Sequence, residues 1–402
     1  MNDISRQTRN TKTKYSRKSV TRKQKSTNIT ILKNKTPKEV NALSNDIFFN
    51  LEKSSSSHKK ERFLITKATS YSPTINANLI TLKTIKRREL SDCNNMLAFE
   101  FKEPLHILVN NKCIPYYERG AKQLLLKNLA ANKHVDVNTI VPPIQSQSNC
   151  WFNSMFVVLF ISDKGRKFFH FFRQLMIEGK QADGNLIPTH LRDAFAVFNF
   201  AIDASLTGNK FAYLLDTNVI IAKIYENIPE DYKRDNVYIK NVGEPGNPML
   251  YYASLITYLN NKSLEYLIIP GTSGWKEQIL QSMNQMDSIP HFIILEINDD
   301  GLDHSGNITN KEIKFNIGKA KYILDSCIIR DIEKQHFCAL LTCENKEMAY
   351  DGLSFNRIVK MKWKHKINDN FKWEFDGSNN INGKPLQWNF RKGYQMLLYY
   401  RV

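Results

Sequence analysis

The stretch QSQSNCWFNSMFVVLFI, residues 145–161, joins a polar loop to the longest apolar run of the chain, residues 155–161. The apolar residues predict a helix that begins near Asn153. Cys150 lies where the loop meets this helix. Because a helix N-terminus carries the positive end of the helix dipole, it favours the thiolate form of a cysteine placed there. Cys150 is therefore a candidate nucleophile, and the alternative is a small buried side chain without chemistry.

A thiol nucleophile needs an imidazole base, and nine histidines compete for that role. His336 differs from the others because it opens the apolar stretch HFCALLTC directly after a polar segment. Asp351 follows it by fifteen residues. A hairpin with a four-residue loop, residues 342–345, would place the Asp351 carboxylate beside the His336 ring, where it can fix the ring's tautomer. A turn centred on residues 345–346 is the competing register and would separate the two side chains.

The hydrophobic pattern changes from helical to extended near Ser263. Before that point the periodicity predicts helices at residues 121–131, 153–161, 164–177, 190–204 and 249–260. After it, apolar and aromatic runs predict strands at residues 264–269, 291–297, 322–329, 337–341, 349–352 and 394–401. A helical half followed by an antiparallel β half predicts an α+β fold, in which a helical lobe and a β lobe flank a cleft.

Positive charge is concentrated at the N-terminus. Residues 1–90 carry a net charge of +15, out of a formal +18 for all 402 residues. Residues 1–60 are basic and polar without apolar periodicity, which predicts a disordered basic tail, and residues 61–137 are predicted to form an accessory segment or N-terminal extension. Such a tail is typical of sequence-independent binding to nucleic-acid phosphates. The alternative roles for this tail are a solvated arm without a binding function and a nuclear localisation signal.

Other features bear on the compartment. No apolar segment reaches the length of about 20 residues that a membrane-spanning helix needs, and the basic N-terminus lacks the apolar region of a secretory signal. We therefore expect an intracellular protein of the cytoplasm or nucleus, without membrane contact, whose six cysteines are reduced thiols. The abundance of Asn, Lys and Ile would suit a parasite or a large DNA virus with an AT-rich genome, and in the second case the protein would be viral or virion-associated.

Together these residues resemble the ubiquitin-specific proteases, a family of papain-like deubiquitinases. Four stretches resemble the family's motifs in the family's order: a cysteine box at residues 149–154, a histidine box at residues 322–329 and 335–337, an aromatic-Asp pair at residues 350–351, and a terminal strand at residues 394–401. Residues 290–296 are a weaker fifth match. The resemblance covers about residues 138–402 and implies a papain-like cysteine protease fold with Cys150, His336 and Asp351 as the catalytic residues.

The resemblance also bears on the oxyanion site and on metal binding. Gln145 and Asn149 place side-chain amides ahead of the thiol, and the family's oxyanion asparagine corresponds to Gln145, with Gln147 as a substitute. The glycine that often precedes the family's histidine is replaced here by Gln335. The family's zinc-bearing fingers need paired CxxC motifs, and the chain has none. We therefore expect reduced fingers, no metal and no cofactor.

The resemblance implies a thiol-dependent deubiquitinase that hydrolyses peptide or isopeptide bonds after the C-terminal Gly of ubiquitin or a ubiquitin-like modifier. Its partners would be that modifier and its conjugates, with nucleic acid as a further partner of residues 1–60. Two other classes stay open at this stage. One is a catalytically silent ubiquitin-binding module, and the other is a basic protein that is associated with nucleic acid or packaged in a particle.

Overall fold

The computed structural model describes residues 104–286, 288–298 and 307–402, so the predicted basic tail at residues 1–60 lies outside the described residues. The helices are α1 (Arg119–Ala131), α2 (Cys150–Phe160), α3 (Asp163–Phe168), α4 (His170–Glu178), α5 (Thr189–Thr207), α6 (Asn218–Asn227), α7 (Glu230–Asp235), α8 (Pro248–Tyr258) and α9 (Trp275–Met286). The strands are β1 (His106–Val109), β2 (Lys112–Pro115), β3 (Tyr266–Pro270), β4 (Phe292–Ile297), β5 (Lys314–Ile317), β6 (Ala320–Arg330), β7 (Phe337–Cys343), β8 (Lys346–Tyr350), β9 (Ile358–Lys360), β10 (Lys372–Trp373), β11 (Trp388–Asn389) and β12 (Gln395–Arg401).

The C-terminal half is organised by a mixed sheet. Its strand order is β3-β4-β12-β6-β7-β8-β9, and β5 pairs with β6 outside this path. The pairs are antiparallel except for β3 and β4, which run parallel. Helix α9 lies between β3 and β4 in the chain and supplies the crossover that a parallel pair needs. The fold is α+β as expected, but the expectation of a wholly antiparallel β lobe is wrong for this pair.

The predicted helices agree with the structure in part. Three of them, at residues 121–131, 190–204 and 249–260, are confirmed as α1, α5 and α8. The segment predicted at residues 164–177 is divided at Phe169 into α3 and α4. Helix α2 begins at Cys150 and not near Asn153, because Trp151 and Phe152 are buried as well and extend its apolar surface back to the thiol.

Two hydrophobic clusters cover the two faces of the mixed sheet. In β4, Phe292 and Ile294 belong to the cluster shared with the helices, whereas Ile293 and Leu295 belong to the cluster on the opposite face. Helix α2 is buried along all of its residues and packs against β6 and β7. A helix that is apolar on every side is held by its surroundings, so the core fixes the position of Cys150.

The described part of the predicted extension, residues 104–137, shares this core. Leu125 and Leu129 of α1 belong to the same cluster as α2, and α1 contacts α4. The extension therefore packs on α4 and shares the hydrophobic cluster that surrounds α2. The predicted boundary at residue 137 stays a proposal.

Cys113 in β2 is disulfide-bonded, so the expectation of six reduced thiols is wrong for this residue. An argument from compartment does not decide whether two particular sulfur atoms come within bonding distance. The free cysteines of the described part are Cys150, Cys327, Cys338 and Cys343. None of the described helices combines the length and the apolar character needed to cross a bilayer.

Candidate active site

Cys150 is the first residue of α2 and is buried, with 8% of the residue exposed. Two asparagines of the surrounding motif anchor this helix start. Asn149 donates from Nδ2 to Thr217 Oγ1 at 3.0 Å, and Thr217 Oγ1 donates to Asn153 Oδ1. Asn153 donates in turn to the carbonyl of Ile144 at 3.2 Å. These asparagines therefore hold the loop and the helix together, and one N–H of the Asn149 side-chain amide is used for this purpose.

His336 and Asp351 lie in direct contact. The Nε2 of His336 donates to Oδ1 of Asp351 at 2.6 Å, and the two residues are 3% and 0% exposed. The same carboxylate oxygen also accepts the backbone N–H of Leu353 at 3.1 Å. The His336 ring stands edge-on to Trp388, with ring centroids 5.9 Å apart. A buried carboxylate thus fixes the tautomer and orientation of the imidazole.

The two residues meet in a register that neither predicted turn would produce. Cys343 pairs with Lys346, which leaves a two-residue turn at Glu344 and Asn345, both with positive φ of 47° and 60°. Positive φ at both central residues is the type I′ arrangement of tight hairpins. The predicted four-residue loop is therefore wrong, as is the turn centred on residues 345–346. His336 and Asp351 are diagonal neighbours just beyond the paired strands, a distance that long side chains bridge.

The second ring nitrogen of His336, Nδ1, is buried and takes no part in the contact with Asp351. Nδ1 has no hydrogen-bond partner among the described residues, and the Cys150 side chain is near enough to contribute to the electrostatics of the ring. Burial lowers the pKa of His336, but the hydrogen bond and charge of Asp351, followed by the effect of Cys150, outweigh burial and raise the pKa to about 10. The imidazole is therefore held in its protonated form beside the thiol at neutral pH.

The other free cysteines have different surroundings. Cys327, Cys338 and Cys343 lie on β6 and β7 and are 0% exposed. Burial raises the pKa of all three thiols, to about 12 for Cys327 and Cys343. They remain neutral thiols at physiological pH, so they are poor nucleophiles.

Gln145, the predicted oxyanion donor, lies on a loop that is tied to the Asp351 segment. Its backbone N–H donates to the carbonyl of Gly352 at 3.0 Å. Tyr350 Oη donates to the Pro143 carbonyl at 2.9 Å, and Arg357 Nη1 donates to the Pro142 carbonyl at 2.9 Å. These three bonds connect the segment before the thiol to the segment that carries Asp351. Cys150 and Asp351 are therefore held by one connected unit.

Gly352 is required by this arrangement. A Cβ at this position would lie 3.0 Å from both the N and the Cβ of Gln145, and 2.8 Å from Tyr350 Oη. Sequence reasoning missed both Gly352 and Arg357. The Asp-Gly step after a strand was an available signal for Gly352. Arg357 had no such signal, because it bonds to backbone carbonyls that are distant in the sequence.

Three further residues, Gln147, Asn356 and Asp376, lie nearby or at the surface. Gln147 is exposed, and its carbonyl accepts the N–H of Asn149 at 2.9 Å. Asn356 and Asp376 contact the Asp351 segment through their carbonyl oxygens, which accept from Ser354 and Phe355. The structure brings Asp351, and neither of these two, into contact with the imidazole.

Metal binding has no visible support in the described ranges, where no group of three or more His, Cys, Asp or Glu side chains is placed to hold an ion. A cavity of about 190 Å³ lies beside the paired ends of β4 and β12. It is lined by Ile297, Lys311, Arg391 and Gln395, among others. None of Cys150, His336 and Asp351 lines it.

No family model matches the chain, and no curated protein matches it in sequence. Among solved structures, it is similar to the SAGA DUB module Ubp8/Sgf11/Sus1/Sgf73 bound to monoubiquitin, with 8% identity over 66% of this chain and 69% of that chain and a TM-score of 0.39. The same module in a second structure gives 9% identity, 66% and 68% coverage and a TM-score of 0.32. An essential yeast splicing factor gives 11% identity, 74% and 83% coverage and a TM-score of 0.29. These scores are too low to assign a family.

Proposed function

We propose that the chain is a cysteine-type deubiquitinase, which hydrolyses peptide or isopeptide bonds after the C-terminal Gly of ubiquitin or a ubiquitin-like modifier. The observation that carries the reaction type is the 2.6 Å contact between His336 and Asp351, made beside a thiol at the start of a buried helix. The substrate class is supported by the motifs around these three residues, which occur in the order Cys, His, Asp of the ubiquitin-specific proteases.

In the proposed mechanism the Cys150 thiolate attacks the carbonyl carbon of the terminal Gly. The negative charge that develops on the carbonyl oxygen is stabilised by the Gln145 side-chain amide and the backbone N–H of Cys150. The imidazolium of His336 protonates the leaving amine as the C–N bond breaks, which leaves a thioester on Cys150. His336 then accepts a proton from water as the water attacks the thioester, and the modifier is released with a free carboxylate. Asp351 orients the imidazole throughout.

The same observations support a papain-like arrangement for residues 138–402. The thiol comes from the helical half, whereas His336 and Asp351 come from the sheet, so the reacting groups meet where the two halves join. The absence of CxxC pairs from the sequence supports a domain with reduced fingers and without structural zinc. We place this activity in the cytoplasm or nucleus, with ubiquitin or a related modifier and its conjugates as partners.

The proposal is tested with ubiquitin that carries a C-terminal propargylamide, an electrophile that captures a cysteine nucleophile. We expect a covalent adduct on the full chain, mapped by peptide mass spectrometry to Cys150 among the six cysteines. Cys150→Ala should give no adduct, His336→Ala should react slowly, and the matched control Cys327→Ala, which changes a buried thiol of β6, should react like wild type. The same probe built on other ubiquitin-like modifiers compares the candidate substrates.

The outcomes separate the functional classes. Ubiquitin binding without adduct formation would identify a catalytically silent ubiquitin-binding module. The absence of both binding and adduct with every modifier would reject the deubiquitinase.

A second activity is proposed for residues 1–60 alone. Their concentration of Lys and Arg supports sequence-independent contact with nucleic-acid phosphates. This activity is separable from the hydrolysis, because the residues proposed for catalysis lie beyond residue 140.

A further inference from the structure

Asp331 lies in the loop between β6 and β7, which delivers His336 to the site. The residue is 0% exposed, and its carboxylate accepts three backbone N–H groups of that loop. Oδ2 accepts from Glu333 at 2.9 Å, and Oδ1 accepts from Gln335 and from His336, each at 2.6 Å. The N–H of Asp331 donates to the His336 carbonyl at 2.8 Å. His336 is therefore bonded to Asp331 through both of its backbone polar groups.

These bonds explain why an ionisable side chain is buried here. Burying a carboxylate is costly unless hydrogen bonds replace its lost hydration, and charge-assisted bonds to backbone N–H groups are among the strongest available. The loop needs such a tie because Lys334 has a positive φ of 61° and because Gln335 stands where a glycine would give the chain more freedom. Asp331 thus holds a strained connection in one shape.

The two ends of His336 are consequently fixed by two different carboxylates. Asp351 holds the ring through Nε2. Asp331 holds the backbone from which the ring projects. With the Asp351 contact alone, the backbone could shift and carry the ring with it. With the Asp331 contacts alone, the backbone would stay in place while the ring rotated. Only both contacts together define the position of Nδ1 relative to the Cys150 thiol.

We propose that Asp331 is a positioning residue, which keeps the His336 imidazole aligned between Asp351 and Cys150. What the aligned imidazole achieves rests on the proposed function, but the alignment itself does not. A displacement of about 1 Å at a reacting group can cost about 100-fold in rate, so a loosened loop should be visible in the chemistry of the thiol.

The test measures how fast chloroacetamide alkylates Cys150 in the full chain at about pH 6, where an isolated thiol is almost entirely protonated and therefore unreactive. Peptide mass spectrometry follows Cys150 separately from the other cysteines. Asp331→Ala should slow this alkylation by at least about tenfold, toward the rate of His336→Ala. Glu333→Ala is the matched control, because its side chain leaves the same loop outward to Lys384 and Asn380, and its rate should stay within about twofold of wild type.

Two further comparisons separate positioning from a general loss of structure. In a His336→Ala background, Asp331→Ala should have no additional effect on the rate, because its influence passes through the imidazole. Asp331→Asn should recover the rate to within about threefold of wild type, since its Oδ1 can still accept from Gln335 and His336. If Asp331→Ala does not fold, Asp331→Ser replaces it, and its shorter acceptor should slow alkylation by at least about threefold.

A folded Asp331→Ala variant with the wild-type rate would overturn the proposal. So would an equal slowing in the presence and absence of His336, or an Asp331→Asn variant as slow as Asp331→Ala. Chloroacetamide contains no part of ubiquitin, so these results do not depend on the substrate. If the wild type ignored every modifier probe while the alkylation results held, the proposed function would fail and the positioning role would stand.

Discussion

At the scale of single residues, the proposed reaction depends on the sulfur atom of Cys150. Replacing Cys150 by alanine removes this atom without disturbing a helix that the core holds on every side. We expect hydrolysis of a ubiquitin C-terminal amide to fall by at least about 10³-fold with an unchanged melting temperature. Cys327→Ala serves as the control and should keep its turnover. Retained activity in Cys150→Ala would reject the mechanism.

The charge of Asp351 should be visible in the pH dependence of the rate. Burial lowers the pKa of His336, and Asp351 is the main group that raises it, so Asp351→Asn leaves burial in place and weakens the opposing effect. The imidazolium then loses its proton at a lower pH. We expect the alkaline limb of the kcat/KM profile to move to lower pH than in wild type, where His336 titrates near a pKa of about 10.

Alanine substitutions of His336 and Asp351 should both reduce the rate. His336→Ala should be nearly inactive, and Asp351→Ala should lose an equal or smaller amount, because the base takes part in the transition state and the carboxylate orients it. Wild-type behaviour of Asp351→Ala would mean that another group orients the ring, and Asn356 and Asp376 would then be tested.

Gln145 and Gln147 are distinguished by a comparison of two reactions. Acyl transfer develops an oxyanion and alkylation of a thiol does not, so only the first needs the amide donor. Gln145→Ala should lower turnover of the ubiquitin amide by about 100-fold and leave alkylation of Cys150 unchanged. Gln147→Ala, which changes an exposed side chain, is the control and should be close to wild type in both. The reverse result would transfer the oxyanion role to Gln147.

At the scale of secondary-structure elements, the β7–β8 hairpin is held by a residue of α3. Asp163 accepts the N–H of Glu344 at 2.7 Å and that of Asn345 at 3.0 Å, and its Oδ1 also accepts from Arg166 at 2.9 Å. Asp163 therefore stabilises a turn in which two non-glycine residues have positive φ.

Removing this support should lower the stability of the fold. We expect Asp163→Ala to reduce the free energy of unfolding by about 2–3 kcal/mol, because two turn N–H groups lose their acceptor. Denaturant titration measures the difference. Lys346→Ala changes an exposed residue beside the same turn and should stay within about 0.5 kcal/mol of wild type. Equal stability of the two variants would show that the backbone maintains the turn unaided.

This contact also shows what the sequence could and could not predict. The strands β7 and β8 follow from their apolar runs, which are local. The turn between them is bonded to Asp163, which lies 181 and 182 residues before the two turn residues, and no local pattern reports such a partner. Helix α9 was not predicted because it buries only Trp275, Ile279 and Met286, which gives it a weak apolar periodicity. Without this helix, the parallel pairing of β3 and β4 could not be predicted either.

The residues of the candidate site also fall into those that the sequence could predict and those that it could not. Cys150, His336 and Asp351 were predicted because each lies in a motif of recognisable residue types, and the structure brings His336 into contact with Asp351. Asp331, Gly352 and Arg357 were missed because they act on backbone groups, which every residue possesses. Patterns of side chains reveal side-chain chemistry more readily than they reveal the backbone contacts that hold it.

At the scale of the whole molecule, the proposed tail and the proposed enzyme should be separable. Deleting residues 1–60 removes a large share of the positive charge and no residue of the site. We expect the rate constant for a small ubiquitin amide to change by no more than about threefold, while retention on heparin falls sharply and the dependence of nucleic-acid binding on salt becomes shallower. Loss of hydrolysis on deletion would mean that the tail is part of the folded enzyme.

The strand order has a consequence for biosynthesis. Strand β12 follows all other strands of the sheet in the chain, yet it lies between β4 and β6. While the ribosome is still adding the preceding residues, β4 and β6 have no shared neighbour, and the β6–β8 segment that brings His336 and Asp351 together cannot join the part of the sheet around β4. Contacts between residues so far apart in the chain form late in folding. The thiol of Cys150 therefore emerges from the ribosome long before His336 does, and the proposed hydrolysis would begin only after β12 has joined the sheet.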